Sequence, residues 1–149
     1  MFSSGFCQFR TSSGTIFDPD LLAERFPGNT PRETIMNKIS IMEASVRKWE
    51  RIIDGKSSDG GVVDCPPCRI FYMLVCFGCP IAQYTGKKFC KGSPYGAWYW
   101  HQLEEHDKIR KKVYCPECLR LAKEMHAFMV EIVEHLKAEK KKREDESIK

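Results

Sequence analysis

Residues 65–90 read CPPCRIFYMLVCFGCPIAQYTGKKFC. Five of the chain's eight cysteines fall here, as the pairs Cys65/Cys68 and Cys76/Cys79 followed by Cys90. A third pair, Cys115/Cys118, lies downstream in YCPECL. A C-x-x-C turn aims two thiolates at one point, and two such turns close a tetrahedral site, the ligand logic of structural zinc. The fold is therefore read around a metal knuckle.

Cys65 and Cys68 supply half of a zinc site. Cys79 and Cys90 complete it, since they flank a loop carrying Gly86 that can bend back to the first pair. On spacing alone, Cys76 with Cys79 is the alternative. Seven clustered cysteines do not fill two all-cysteine tetrahedral sites, so a second complete site requires His101 or His106. Both histidines otherwise read as helix-surface residues. Cys115 and Cys118 read either as ligands or as buried core at a helix start. An iron–sulfur cluster also accepts four cysteines, although the compact ferredoxin spacing is absent. Cys7 stands apart and reads as a free thiol.

Outward from the knuckle, helices are predicted on both sides. Thr30-Pro31-Arg32-Glu33 is a capping box with proline at the first helical position. Ile35, Ile39, Met42, Val46, Trp49 and Ile53 then follow in alternating steps of four and three, a narrow seam on one helix face. Asp54-Gly55 ends that helix, and Lys56 to Gly61 reads as a flexible linker. Downstream, Pro116 opens a helix with the seam Cys118, Ala122, Met125, Met129, Ile132 and Leu136. The two seams match in length, which predicts antiparallel packing of helices at about 30–54 and 116–138. Between them, Ser93-Pro94 starts a shorter aromatic helix bearing Tyr95, Trp98, Tyr99 and Trp100. Residues 70–75 form a short apolar run that packs beneath the metal.

The fold class is thus mainly α: two long antiparallel helices flanking a cysteine-rich knuckle. Residues 1–29 read as a poorly ordered extension with a possible short helix after Asp18-Pro19, residues 30–138 as the domain, and residues 139–149 as a charged tail that frays.

Composition narrows the class. Apolar residues make up 42% of the chain and charged residues 30%, which suits a small domain exposed to water. No apolar run approaches the ~20 residues of a membrane span. The first ten residues lack the basic start and apolar core of a secretory signal, so the cysteines read as intracellular ligands and free thiols, with a cytoplasmic location. The net charge of +4 permits an acidic partner without demanding one. Lys87, Lys88 and Lys91 near the knuckle, with Lys108, Arg110, Lys111 and Lys112, are the candidate phosphate contacts, and aromatics at 95–100 could stack on bases.

Residues 36–136 also resemble a group of small uncharacterised cysteine-rich proteins of phages, prophages and microbial genomes. The resemblance rests on a helix ending W-x-x-I-x-x-G (Trp49, Ile52, Gly55), then C-x-x-C, then C-x-G-C-P (Cys76, Gly78, Cys79, Pro80) with Cys90 behind it. It closes with G-[ST]-P-Y-x-x-W (Gly92, Ser93, Pro94, Tyr95, Trp98). It implies metal binding and a helix–knuckle–helix shape, and brings no reaction with it. It also makes Met36 a candidate natural start, against which the cap at Thr30 speaks.

Enzyme readings fail on the residues. No βαβ pattern surrounds a C-x-x-C, as a thioredoxin-like site needs. The H-x-E with P-C-x-x-C of zinc deaminases is missing. His101 and His106 are five apart, whereas a zinc protease needs H-E-x-x-H. The expected function is non-enzymatic zinc binding, exerted through nucleic acid or a nucleic-acid-processing assembly. The alternative is an adaptor docking a protein partner, as a monomer or a helix-mediated dimer.

Overall fold

The computed structural model of the chain describes residues 31–106 and 110–148. The expected cap at Thr30, the extension with Cys7, and Lys108 lie outside the described residues. Helix α1 runs Pro31–Ile53, with proline at the first position, where its missing N–H costs nothing. Helix α5 runs Pro116–Ile148. His126 Nε2 lies 3.2 Å from Glu50 Oε2, and Lys137 Nζ lies 3.4 Å from Glu43 Oε2. Moving back along α1 means moving forward along α5, so the pair is antiparallel, and it closes within one chain.

All six predicted seam residues of α5 are buried, from Cys118 to Leu136. On α1 the buried stripe is shifted. Ile35, Ile39, Met42 and Trp49 are core, but Val46 and Ile53 are only half-buried, while Lys38, Ser45 and Ile52 are buried. The cause is the knuckle, which packs against the 38/45/52 side of α1 as well as the seam facing α5. Val46 lines a shallow groove with Val130 and Val133, whereas the seam spacing predicts it opposite Met125, Met129 and Ile132. An aspartate at position 46 can therefore reach water. The fully buried Met42 and Ile132 are the sensitive positions. Met42→Ala or Ile132→Ala should each cost about 2–5 kcal/mol, read from the shift in denaturation midpoint at unchanged slope.

Between the long helices, α2 spans Pro66–Phe71, α3 Pro80–Thr85 and α4 Tyr95–His101. Single 3₁₀ turns occupy Gly61–Val63 and Tyr72–Leu74. The apolar run at 70–75 is thus helical. Only its first part packs inward: Phe71 is buried, whereas Tyr72 to Val75 face solvent. Trp98 of α4 is fully buried edge-on against Trp49, with ring centroids 5.3 Å apart.

Two segments differ from the sequence reading. The charged tail remains helical to Ile148, supported by pairs one turn apart such as Lys140–Glu144 at 2.7 Å and Arg143–Glu139 at 3.0 Å. The expected linker at 56–61 is anchored at Asp59, which is 1% exposed. Its carboxylate accepts from Lys48 Nζ at 2.7 Å, Gly61 N–H at 3.0 Å, Tyr95 O–H at 2.9 Å and Trp98 Nε1 at 3.2 Å. Its N–H donates to the Lys111 carbonyl at 2.7 Å. One buried residue therefore ties together α1 and α4 through its carboxylate and the approach to α5 through its N–H.

Candidate metal centres

α4 does not end in an ordinary α-helical turn. It passes into a π turn over Gln102–His106. Residues five apart on an α-helix diverge by about 140°, but the wider π turn brings i and i+5 over one another. His101 and His106 thereby come onto one face, with ring centroids 5.1 Å apart. α5 supplies the other half. Cys115 stands just before Pro116, and the Cys118 N–H donates to Cys115 Sγ at 3.4 Å, so the helix start holds both sulfurs on one side.

The two halves meet. His101 Nε2 lies 3.3 Å from Cys115 Sγ, His106 Nε2 lies 3.2 Å from Cys118 Sγ, and the sulfurs are 3.6 Å apart. All four donor atoms lie within 4.8 Å of one another. With Zn–S near 2.3 Å and Zn–N near 2.0–2.1 Å, a regular tetrahedron has edges of about 3.8 Å between sulfurs and about 3.5 Å between nitrogen and sulfur. The group is already close to that size, and it can hold a metal ion. The Cys115 thiol is drawn down to about 6, first by the Cys118 N–H and then by His101. Burial pushes the Cys118 thiol up. The fully buried Gln102 orients the site from behind: Nε2 donates to Cys118 Sγ at 3.2 Å and to the Lys112 carbonyl at 2.9 Å. The expectation of surface histidines is thus corrected. Cys115 and Cys118 prove to be both the start of α5 and half of a donor set.

The predicted quartet Cys65, Cys68, Cys79 and Cys90 gathers elsewhere, around a cavity of about 270 Å³. Cys76 lines the same cavity, so the wall carries five thiols. Their backbone settings fall into two kinds. Cys65 and Cys79 each stand at an N-cap, followed by proline at N1 of α2 and α3. Cys76 and Cys90 are left-handed (φ 62° and 60°), and each follows another left-handed residue, Val75 (φ 55°) or Phe89 (φ 59°). Left-handed backbone costs a residue with a β-carbon about 1–2 kcal/mol, and a β-branched valine is a clear outlier there. Two such strained pairs, each delivering a thiol to one cavity, mark a site whose geometry overrides local preference. Between Cys76 and Cys79, Gly78 takes φ 84° without that cost.

The thiols differ electrostatically. A hydrogen bond from Cys68 draws Cys65 down to about 7, with Lys48 contributing. Burial pushes Cys79 and Cys90 up to about 12. Lys48 lies on the cavity wall. Lys38, hydrogen-bonded to Gln83 and near Cys79, is brought down by burial to about 8, against the pull of Glu139. Negative thiolate charge in the cavity would favour both lysines in their charged form.

No known protein family, curated protein or solved structure matches the chain.

The predicted phosphate contacts divide. Lys87, Lys88 and Lys91 are exposed and flank exposed Phe89 along the chain. Phe89 lines the cavity, as does half-buried Lys111, whose Nζ lies 5.6 Å from the centre of the Tyr99 ring. Arg110 and Lys112 line a separate groove with Lys56 and Asp64. Among the described residues, no helix is long and apolar enough to cross a membrane.

Gln102 and Asp59 are the residues around these sites that sequence reasoning passed over; His101 and His106 it named only through the count of ligands a second site would need.

Proposed function

We propose that this chain is a small zinc protein that works by binding and not by catalysis. The observation that carries the reading is the His101, His106, Cys115 and Cys118 group, whose four donor atoms lie within 4.8 Å of one another. Four protein ligands close a structural zinc site and leave no position for a reacting water. The zinc pins the π turn at the end of α4 to the start of α5. Among the described residues the cysteines form no disulfide, which suits a reducing, intracellular compartment.

Phe89, Tyr99 and Lys111 line the cavity, and the exposed Lys87, Lys88 and Lys91 flank Phe89 along the chain. Cations interleaved with exposed rings suit nucleic acid, through phosphate pairing and base stacking. The test is binding to single- and double-stranded DNA and RNA at two salt concentrations. Lys87→Glu/Lys88→Glu/Lys91→Glu should weaken binding and flatten the slope of log affinity against log salt. The slope should fall by about 0.7–0.9 for each phosphate that is no longer neutralised, with zinc content unchanged. Absence of binding at low salt would discard this role.

One observation favours a protein partner instead. Met73 is 88% and Val63 81% exposed, and Tyr72 to Val75 present four exposed apolar residues in a row. Docking there would be insensitive to salt and abolished in Met73→Ser, while the lysine variant would leave it intact.

A further inference from the structure

We propose that the cavity ringed by Cys65, Cys68, Cys76, Cys79 and Cys90 is a second centre of a different kind, which takes an iron–sulfur cluster on four of its five thiolates. The inference goes beyond the zinc reading and stands without it.

Size separates the two centres. The His101, His106, Cys115 and Cys118 donors have closed to the dimensions of one ion. Among the described residues, the five thiols around the cavity do not close up in that way; they surround about 270 Å³. A cavity of roughly 150 Å³ already accepts a benzene-sized guest, so a bare ion leaves most of this one unfilled. A cluster carries its thiolates on separate irons, bridged by sulfide, and therefore needs ligands spread around a volume instead of converging on a point.

The walls suit such a guest. Trp49, Tyr72, Ile81, Phe89, Met125 and Met129 line the cavity, and apolar cover keeps water from the cluster. The strained pairs Val75-Cys76 and Phe89-Cys90 hold two of the five sulfurs in place from short loops.

The test is anaerobic reconstitution of the full chain with ferric iron, sulfide and a thiol reductant. Visible absorbance is read with iron, sulfide and zinc per chain. The expected result is a coloured protein with about four iron and four sulfide, or about two of each. Among the five single Cys→Ala variants, four should lose the colour while retaining zinc, which also reports that they fold, and one should keep it. His101→Ala/His106→Ala should lose zinc and keep the colour, so failure of the zinc reading is recorded separately. A reconstituted protein without sulfide, whether it holds a second zinc or nothing, overturns the proposal. So does colour that survives all five cysteine variants.

Discussion

Cys115→Ser/Cys118→Ser should bind no zinc at the end of α4 and lose on the order of 5 kcal/mol, part of the roughly 10–16 kcal/mol that structural zinc supplies at neutral pH. A metal that binds only the folded form adds its binding energy to folding. The loss is partial because α1 and α5 keep their shared core from Ile35 to Leu136. Far-UV helicity should therefore largely persist, while the π turn and the start of α5 lose their shared anchor. Chelation distinguishes this from ordinary packing damage. Wild type treated with a strong chelator should fall to the stability of the double variant, and the double variant should not respond to chelator. Equal sensitivity of both proteins would remove the metal from the account of this region.

Asp59→Ala should cost about 3–5 kcal/mol, the range for breaking a buried pair from one side. It leaves the Lys48 ammonium facing the cavity with only the half-exposed Asp64, at 2.8 Å, and strips an acceptor from Tyr95 O–H and Trp98 Nε1. Removing both charges together should be gentler, so Lys48→Met/Asp59→Ala should recover part of the loss. The acid limb gives an independent check. Burial alone would raise the Asp59 carboxyl, but Lys48 and the donors from Gly61 and Tyr95 outweigh it and hold the group below the usual carboxylate range. A depressed carboxyl stabilises the fold above its unfolded value, near pH 4, and loses that contribution as pH falls through the folded value. Asp59→Ala should lack this part of the acid dependence. A difference between wild type and variant that stays constant below pH 4 would contradict it.

Much of the architecture was legible because its determinants are local. Proline marks the starts of α1, α4 and α5, and the α5 seam follows from its four-three spacing; α2 and α3 also open on proline but are too short to show a helical period. What spacing along one helix does not contain is what else covers that helix. The buried face of α1 moved toward Lys38 and Ser45 because the knuckle packs there, and Val46 was left at a groove. The candidate metal site was half legible. The C-x-x-C pairs announce thiolate chemistry, and Cys115/Cys118 is one such pair. Its histidine partners were hidden because reading positions 101 and 106 at α-helical period sends them to different faces; only a π turn superposes them. Asp59 left no signal at all. A buried carboxylate among Ser and Gly reads as linker until Lys48, Tyr95 and Trp98 are seen to converge on it.

Zinc-edge X-ray absorption on the protein purified without oxygen tests the central claim most directly. The predicted first shell is mixed, with two sulfurs near 2.3 Å and two nitrogens near 2.0–2.1 Å, and it should disappear in His101→Ala/His106→Ala. A shell of sulfur alone, unchanged in that variant, would place the zinc among Cys65, Cys68, Cys76, Cys79 and Cys90 and contradict the assignment to His101, His106, Cys115 and Cys118.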